Sequence, residues 1–394
     1  MKRITIVGDI MCERPVLKAG KQKDGSYDFT PIFEPIKPMF AESDYVIGNM
    51  EFPVAGADLT YGDSFFVFNA PNEYAVAIKD AGVDLVSTIN NHTMDRGAEG
   101  LIRTMKTLDR IGLPYVGTCY PEQKRDEAFY FELDGTKFAV VAYTYGVNNR
   151  KPEDEAITQN LNILAKAGYR VCGKKIYPKS FLDKLIKNEA RRNKVKRFFK
   201  IPSLPIQVDM LINSDMVYEY SERFCDDLRK ARENADFVIC YPHTGGQFNI
   251  EVGEFSKTVF EKALACGADA ILASHSHCIQ KAEFREAVPC AYSLGNFNMV
   301  GNTEVTVKKF FPEYGLAMHL YMDGKRLDRV TFSITKAVKK GKQQIVTWPV
   351  DVLHKSLKCK SQKKKLEDEV KQILAVVTGK ECAGNIIQNE YPLE

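Results

Sequence analysis

The sequence predicts an α/β (α+β) fold, and its first 150 residues have the pattern of a sheet with mainly parallel strands. Short runs of β-branched and other apolar residues alternate along the chain with segments of helical periodicity, which is typical of βα units. These runs are apolar at nearly every position, as strands are when both faces of their sheet are covered. The predicted strands comprise residues 3–7, 45–47, 85–89, 138–142, 237–240, 270–273 and 290–294.

Two helices are predicted between the early strands, over residues 73–81 and 99–111. In both segments apolar residues recur at intervals of three and four positions, so each helix has one apolar face. Gly82 and Gly112 follow the two segments and suit helix C-caps, because glycine adopts the left-handed backbone conformation at little cost.

A main domain is predicted over residues 1–300, interrupted by a basic insertion at about 151–214. A solvated helical cap with a basic face explains this insertion, and so does a contact with an anionic substrate or partner. Residues 301–394 are expected to complete or flank the domain with two strands and one amphipathic helix. The basic residues of the insertion cluster at Lys174-Lys175, at Arg191-Arg192 and over 194–200.

The composition excludes several classes of protein. Hydrophobic residues make up 44% and charged residues 27% of the 394 residues, which excludes a disordered or fibrous chain. The net charge of +4 is too small for a protein whose whole surface coats nucleic acid or an anionic membrane. The length allows one large domain with additions, or two domains.

The chain is expected to be cytoplasmic and to have no membrane span. No run approaches the ~18 consecutive apolar residues that cross a bilayer. The strand-like run 4–7 begins too close to Met1 to leave room for a signal peptide. The 10 cysteines are scattered without a C-x-x-C pair, so we expect reduced thiols.

Residue types that bind metals follow the predicted strands at their carboxyl ends. Four of the 6 histidines lie at such positions, which makes chance placement a poor explanation. Strand ends of an open α/β sheet meet at one crevice, so residues far apart in sequence are expected to converge there. These residues are Asp9, Asn49, Glu51, Asn90, Asn91, His92, Asp95, His243, His275 and His277.

The ligand types predict one or two divalent ions. Carboxylate, amide and imidazole groups together favour Mn, Fe or Zn, whereas Ca or Mg would use oxygen ligands. The spacing of His275 and His277 places both rings on one side of an extended segment, where they would bind one metal or two adjacent metals. Two ions about 3.5 to 4 Å apart clamp a phosphoryl group and activate a water. Asp9 or Glu51 would supply the bridging carboxylate.

A series of six motifs resembles the CapA family of poly-γ-glutamate capsule synthesis proteins, which belongs with the calcineurin-like metallophosphoesterases. The resemblance keeps the motif order and covers about residues 3–300. The motifs are Gly8-Asp9-Ile10-Met11 with Arg14, Gly48-Asn49-Met50-Glu51-Phe52-Pro53, Asn90-Asn91-His92 with Asp95 and Gly97, His243-Thr244-Gly245-Gly246, Ser274-His275-Ser276-His277 with Gln280, and Ser293-Leu294-Gly295-Asn296-Phe297.

The resemblance implies a four-layer sandwich of two mixed β-sheets flanked by helices, with a dinuclear metal centre. His92 matches the histidine that contacts the scissile phosphate and serves as general acid, and Asp95 is placed to orient it. Arg14 is a candidate clamp for phosphate or carboxylate. The positions that match metal ligands are Asp9, Glu51, Asn91, His243, His275 and His277.

Two positions depart from the related patterns. Other metallophosphoesterases have a histidine two positions after the first aspartate, whereas this chain has Met11, so the first metal has one ligand fewer. The family often has a glutamate four residues after His243, and Gln247 cannot replace it as a base. The segment 293–297 forms a strand end and tight turn below the site, or it brings Asn296 into contact with the substrate.

The leading functional hypothesis is a metal-dependent, phosphoesterase-type hydrolase, with poly-γ-glutamate or another capsule polymer as its context. The alternative is a non-hydrolytic assembly factor that uses the metal to bind an anionic polymer or a capsule-synthesis partner. A nuclease whose insertion binds nucleic acid is less favoured, because few aromatic residues lie among the basic ones. His319 and His354 lie outside the motif series and are assigned no role.

Overall fold

The structure, a computed structural model, contains two large β-sheets with helices on their outer faces. It describes residues 1–62, 67–149, 154–164, 173–175, 182, 185–186, 188–199, 207–209, 214–300, 310–341, 344–381, 384 and 386–394. Its strands are β1 (Lys2–Ile10), β2 (Tyr45–Met50), β3 (Leu85–Ser87), β4 (Tyr115–Val116), β5 (Phe129–Leu133), β6 (Thr136–Thr144), β7 (Gly173–Lys175), β8 (Gln207–Asp209), β9 (Phe237–His243), β10 (Ala270–Leu272), β11 (Ala282–Arg285), β12 (Val288–Ala291), β13 (Tyr314–Asp323), β14 (Arg326–Lys340), β15 (Gln344–Pro349) and β16 (Tyr391–Pro392).

The helices include both of those predicted between the early strands. Gly112, with φ of 64°, ends the second of them as a left-handed C-cap. The α-helices are α1 (Arg14–Gly20), α2 (Thr30–Phe33), α3 (Lys37–Ala41), α4 (Asn72–Asp80), α5 (Gly97–Ile111), α6 (Glu155–Thr158), α7 (Glu189–Phe198), α8 (Ser214–Asn234), α9 (Glu254–Ala265), α10 (Val350–Ser356) and α11 (Lys360–Thr378). A short 3-10 helix spans Ala57–Leu59.

The first sheet is mixed. Its strands lie in the order β15-β14-β13-β1-β2-β3-β4, and β16 pairs with β14. Strands β1 to β4 are parallel neighbours, whereas β13 lies antiparallel to β1 and continues into antiparallel pairs with β14 and β15. The parallel arrangement predicted from the N-terminal part of the chain is therefore present, and the antiparallel strands β13 to β15 make the sheet mixed. The turns that join β13 to β14 and β14 to β15 are too short for the crossover that parallel strands require.

The second sheet has the strand order β11-β12-β10-β9-β6-β5. Its four inner strands are parallel neighbours, and the edge strands β5 and β11 add to it through antiparallel hairpins. The carboxyl ends of β6, β9 and β10 therefore lie along one edge of this sheet.

Three apolar clusters separate the layers. One fills the space between the two sheets and contains residues such as Ile4, Ile47, Phe138 and Ile239. A second lies under α1 to α4 on the outer face of the first sheet, and a third lies under α8 and α9 on the outer face of the second. In β1, Ile4 and Ile6 enter the first cluster and Val7 enters the second, as the two-residue period of a strand requires. Ile10 also enters the second cluster, because the strand has a register irregularity between Ile6 and Asp9. The predicted four-layer sandwich of two mixed sheets flanked by helices is confirmed.

Nearly half of the basic insertion at about 151–214 lies outside the described residues. Of its described part, β7 and β8 pair as an antiparallel two-stranded sheet, and α7 carries Arg191 and Arg192. The described residues from 310 onward supply β13 to β16 to the first sheet, together with α10 and α11.

Two further findings concern the described residues alone. None of their helices has the length and apolar character needed to cross a bilayer. The cysteines among them carry free thiols, and most of these thiols are buried.

Candidate metal centre

The strand order brings the predicted ligands together. In the first sheet β1, β2 and β3 are parallel neighbours, so Asp9, Glu51 and Asn91 lie near one edge. In the second sheet the parallel pair β9 and β10 places His243 beside the segment 274–277. Both sets occupy carboxyl ends of strands, where open α/β sheets bind their ligands.

The position of Asp9 is fixed by a close approach between its own backbone and that of residues 295–297. Its N–H donates to the carbonyl of Gly295 at 3.0 Å, and its own carbonyl accepts from the N–H of Phe297 at 2.8 Å. A Cβ on Gly8 would lie 2.1 Å from the Gly295 carbonyl oxygen, so a side chain at position 8 would force the two segments apart. Glycine is therefore required beside this carboxylate.

Asp9, Glu51 and His277 form the first candidate ligand set, which we call the Asp9 group; their ligand atoms all lie within 4.8 Å of one another. Nδ1 of His277 is 3.5 Å from Oδ2 of Asp9, and Nε2 is 3.7 Å from Oε1 of Glu51. All three residues are buried. Two carboxylates and one imidazole so arranged could hold one divalent ion.

The second set, the His243 group, consists of Glu51, Asn91, His243 and His275. Nε2 of His243 lies 2.7 Å from Oδ1 of Asn91, 3.1 Å from Nδ1 of His275 and 3.5 Å from Oε1 of Glu51. Four potential ligand atoms thus converge on a small volume. Because Glu51 belongs to both groups, its carboxylate is placed to bridge two ions.

Glu51 gives the clearest indication that cations belong here. Both of its carboxylate oxygens are buried and have no hydrogen-bond partner among the residues that the structure describes. Burial raises the pKa of Glu51 well above the usual value, and the negative charge of Asp9 adds to the shift. A buried carboxylate without partners is costly, and a divalent ion would remove that cost. The residues therefore fit one or two metal ions.

The imidazoles of the His243 group are held neutral. Burial lowers the pKa of His243 to about 4 and that of His275 well below its usual value. A metal binds the neutral imidazole, so little proton competition is expected from these two rings near pH 7.

The backbone adopts unusual conformations at His275 and His277. Their φ angles are 105° and 54°, in the left-handed region that non-glycine residues rarely adopt. The expectation that this segment is extended is therefore wrong. Its bend sends one ring to each ligand group, with 5.7 Å between ring centroids. Such local strain is typical of functional sites.

His92 and Asp95 form a buried pair beside the ligand groups. Nδ1 of His92 lies 2.6 Å from Oδ2 of Asp95, and Nε2 lies 3.9 Å from Oε1 of Glu51. Asp95 also accepts from the Phe68 N–H at 2.6 Å and from Nδ2 of Asn149 at 2.9 Å. Burial by itself lowers the pKa of His92, but the Asp95 carboxylate outweighs it and the net shift is upward. The pair is arranged to hold a proton on the imidazole.

Comparison with known proteins identifies the family. The profile of the family described as "Bacterial capsule synthesis protein PGA_cap" matches residues 3–300, well over half of the chain and inclusive of every candidate ligand. The chain belongs to this family. The resemblance inferred from the motifs is thus confirmed.

Curated relatives of this PGA_cap chain are named for capsule and PGA biosynthesis. It is 25% identical over 301 residues to the capsule biosynthesis protein CapA of Bacillus anthracis, a match covering 75% of this chain and 59% of that protein. It is 24% identical over 295 residues to the PGA biosynthesis protein CapA of Bacillus subtilis (strain 168), covering 74% and 62%. The match therefore spans about three fifths of each relative's length.

Solved structures with a similar chain path include a hypothetical protein from Thermus thermophilus, with a TM-score of 0.43, 15% identity, and coverage of 84% of this chain and 98% of that one. A putative 5'-nucleotidase from Staphylococcus aureus in complex with alpha-ketoglutarate has a TM-score of 0.43 and 12% identity, covering 94% and 59%. TM-scores at this level assign neither fold nor activity to the PGA_cap chain.

The two predicted substrate contacts occupy different surroundings. Arg14 is exposed at the start of α1, where Nε donates to the Gly62 carbonyl at 3.1 Å. Asn296 is fully buried; its Oδ1 lies 2.9 Å from Nδ1 of His277, and its Nδ2 donates to the carbonyls of His277 and Pro312, each at 2.8 Å. Contact of either residue with a substrate stays a prediction.

Sequence reasoning counted Asn49 among the metal-binding residue types at the strand ends, gave Ser274 no role, and assigned neither of them to a ligand position. Nδ2 of Asn49 donates to Oδ1 of Asp9 at 2.7 Å, and Oγ of Ser274 lies 3.0 Å from Nδ1 of His243. Such contacts orient ligands and tune their basicity. Both residues belong to sequence motifs that also contain ligands. Their position in these motifs is the feature of the sequence that could have identified them.

Met11 and Gln247 differ in their surroundings. Met11 is buried within the apolar cluster below α1 to α4, and its N–H donates to Oδ1 of Asn298 at 2.7 Å. Gln247 is half-buried in the loop after β9. His319 and His354 lie apart from both ligand groups: the former contacts Arg3, Thr5 and Ser333, and the latter contacts Glu367.

Proposed function

We propose that this PGA_cap chain is a metal-dependent, phosphoesterase-type hydrolase that uses two divalent ions, Mn, Fe or Zn. The observation that supports it most is the buried, partnerless carboxylate of Glu51, shared by the Asp9 and His243 groups. Two imidazole-containing ligand sets joined by one carboxylate suit phosphoryl transfer, because two adjacent ions contact both the attacking and the leaving oxygens.

Each group of residues would have a separate role in the reaction. The Asp9 and His243 groups would hold the ions, whose charge would polarise the phosphoryl oxygens and lower the pKa of a water. That water would release one proton to solvent and form the new P–O bond while the bond to the leaving oxygen breaks. His92 gives its proton to the leaving oxygen, and Asp95 keeps the ring oriented and charged before the transfer. Arg14 is the candidate group for binding a further anionic oxygen.

The substrate class we propose is an anionic molecule or polymer of capsule synthesis, with poly-γ-glutamate as the leading context. Support comes from the family description and from the relatives named for capsule and PGA biosynthesis. Partners in capsule synthesis belong to the same proposal, and nucleic acid does not.

A second function is favoured by Met11. Because this side chain is apolar and buried, it leaves the Asp9 group with one carboxylate, the bridging carboxylate and one imidazole. A weakly held first ion would suit a non-hydrolytic factor that uses the remaining metal to bind an anionic polymer or a partner.

Elemental analysis of the purified chain, paired with hydrolysis of an aryl phosphodiester and an aryl phosphomonoester with and without Mn, separates the two functions. Near two metal equivalents and Mn-dependent turnover are expected. One equivalent or none, without turnover under any metal, would favour the binding factor. His275→Ala should lose metal and turnover together, and unchanged values for both would contradict the assigned centre.

A further inference from the structure

The carboxylate of Asp95 has hydrogen-bond partners on both of its oxygens. Oδ2 lies 2.6 Å from Nδ1 of His92 and accepts the Phe68 N–H at 2.6 Å. Oδ1 accepts from Nδ2 of Asn149 at 2.9 Å, and no other residue in the described part of the chain bonds to it. Asp95 and His92 are buried, whereas Asn149 is exposed. An exposed amide therefore holds one oxygen of a buried carboxylate.

The bond from Asn149 restricts rotation of the Asp95 carboxylate. The torsion about the Cβ–Cγ bond of aspartate is broad and two-fold, so a carboxylate held at one oxygen alone can swing and exchange its oxygens. With Oδ1 bonded to Asn149, Oδ2 stays opposite Nδ1 of His92. The His92 ring also packs against the ring of Phe68, with 4.2 Å between centroids. The orientation of His92 thus depends on Asn149 through Asp95.

The backbone before Asn149 is bonded to two candidate metal ligands. The Asn148 N–H donates to the Asn91 carbonyl at 2.7 Å, and the Tyr145 N–H donates to the His243 carbonyl at 3.0 Å. The φ angle of Asn149 is 57°, in the left-handed region that asparagine adopts more readily than most residues. The amide that holds Asp95 is therefore placed relative to the ligands themselves.

Residues 145–149, which we call the β6 strap, leave the second sheet at the edge where the ligands lie. Strand β6 runs parallel to β9, so its carboxyl end reaches the same crevice. None of the six sequence motifs includes this strand end. The ring of Tyr145 packs 4.6 Å from the ring of His275. The β6 strap thus connects the His243 group with the pair of His92 and Asp95.

We infer that Asn149 is a positioning residue, whose amide locks the Asp95 carboxylate and so keeps Nε2 of His92 facing the ligand groups. Nε2 lies 3.9 Å from Oε1 of Glu51, a placement that rotation of the ring would change. The inference rests on the proposed function for the role of His92 as an acid. The placement of the ring can be measured independently of that role.

NMR of the full, metal-free chain with isotope-labelled histidine tests the placement without metal or turnover. Because the chain has 6 histidines, the Nδ1–H signal of His92 can be assigned by its loss in His92→Asn. Asn149→Gly removes the amide and suits the left-handed φ angle. This proton should then exchange with water at least about tenfold faster, as expected for the loss of one hydrogen bond to a charged group. Asn149→Asp keeps the side-chain shape without the donor and should accelerate exchange at least as much.

Asp134→Gly is the matched control. Asp134 also has a left-handed φ angle, 47°, and an exposed side chain, and it lies in the turn between β5 and β6 at the opposite end of the strand. The substitution makes the same backbone change without removing a partner of Asp95. Exchange of the His92 proton should stay within about twofold of the wild-type rate, as for other surface substitutions.

Kinetics supplies a second readout if the chain is a hydrolase. Asn149→Gly should lower kcat about tenfold for a phosphodiester with an alkyl leaving group and leave KM nearly unchanged. The loss should be smaller for 4-nitrophenolate, because this group leaves without a proton. A general structural defect would lower kcat by the same factor for both substrates.

Three results would overturn the inference. The first is a His92 proton that already exchanges rapidly in the wild-type protein. The second is exchange at the wild-type rate in Asn149→Gly, or equal acceleration in Asp134→Gly. The third is an equal loss of kcat for both leaving groups. Accelerated exchange in Asn149→Gly, in a chain that hydrolyses neither substrate, would support the positioning role and contradict the proposed function alone.

Discussion

The amide of Asn296 fixes the ring of His277 in one tautomer. Nδ2 of Asn296 donates to the backbone carbonyls of His277 and Pro312, so Oδ1 is the atom that faces Nδ1 of the ring, at 2.9 Å. An amide oxygen only accepts, which places the ring proton on Nδ1. Nε2, at 3.7 Å from Oε1 of Glu51, keeps its lone pair for a metal.

Asn296→Ala is therefore expected to weaken Mn binding by about 10- to 100-fold, because the ring loses the partner that sets its tautomer and orientation. Calorimetric titration of the metal-free protein measures this. Asn298→Ala is the matched control: that buried amide contacts Met11 and Tyr74 and no imidazole ligand. Equal losses in the two variants would mean that general destabilisation explains the effect.

The raised pKa of Glu51 predicts how the metal-free protein responds to pH. The folded state keeps the proton on Glu51 above the unfolded value of about 4.5, so stability is lost as the pH rises and the unfolded state gives up that proton. Glu51→Gln should reduce the fall in unfolding free energy that accompanies a rise in pH above about 4.5, and it should abolish stabilisation by Mn. Urea denaturation with and without chelator measures both.

Glu13 offers the control for that experiment. It is a second buried carboxyl group whose pKa burial raises to about 8, and it belongs to neither ligand group. Glu13→Gln should reduce the pH dependence in the same direction while keeping the stabilisation by Mn. Loss of the Mn effect in this variant would contradict the assignment of ligands.

If His92 is the general acid, its importance depends on the leaving group. His92→Asn should lower kcat by about 10²- to 10⁴-fold for a phosphodiester with an alkyl leaving group. For 4-nitrophenolate, which leaves without a proton, the loss should stay below about tenfold. Steady-state kinetics on the two substrates, with metal content measured in parallel, checks this. Equal losses on both substrates would assign His92 to binding.

Asp95→Asn should act through the proton of His92. The carboxylate is what raises the pKa of this buried ring, so its removal leaves burial to lower that pKa. The basic limb of the pH dependence of kcat should then move to lower pH while metal content is retained. A uniform loss of rate at every pH would mean that Asp95 matters for structure alone.

The sequence predicted the ligand series because the carboxyl ends of parallel strands lie at one edge of a sheet. This holds for any length or structure of the segments that connect the strands. Asp9 and His243 are far apart in sequence, yet each ends an apolar run that is recognisable as a strand. Beyond residue 310 the sequence predicted strands but neither their order nor their direction. Nothing local in β13 indicates that it pairs antiparallel to β1, since that pairing is decided by which sheet edge remains available.

The conformations of His275 and His277 could not be predicted from residue types. Left-handed φ angles are unfavourable for histidine, so propensity predicts an extended segment there. The bend is stabilised by tertiary contacts instead: the His275 N–H donates to Oδ2 of Asp9 at 3.0 Å, and Asn296 bonds to His277.

Alanine substitutions at Gly8 and Gly48 test, through their effects on stability, how closely the backbone segments beneath the ligands approach each other. A Cβ on Gly8 would meet the rigid Gly295 carbonyl at 2.1 Å, whereas a Cβ on Gly48 would meet the flexible end of Ile10 at 3.1 Å. Gly8→Ala is expected to destabilise the protein by at least ~3 kcal/mol, and Gly48→Ala by ~1 kcal/mol. Chemical denaturation checks the order, and similar values would contradict a tight approach at Gly8.

Met11→His tests whether one missing ligand limits the first ion. Asp9 and Met11 are two positions apart where the chain leaves β1, so their side chains are expected on the same face. The backbone of residue 11 is fixed by Asn298 and by the hydroxyl of Tyr74, which confines the change to the side chain. A histidine that binds the ion should raise Mn affinity at the Asp9 group about tenfold or more while the stoichiometry stays at two.

The stability of the Met11→His protein with and without Mn shows whether the new ring reaches the ion. Without metal, an imidazole in this apolar cluster lacks partners and should destabilise the protein by ~1–3 kcal/mol, whereas bound Mn should recover that loss. Met11→Leu keeps the packing, adds no ligand, and should change neither stoichiometry nor affinity. If Met11→His is destabilised equally with and without Mn, its ring does not reach the Asp9 group. The first ion, held by the Asp9 group, must then complete its coordination with a ligand from the substrate or from solvent.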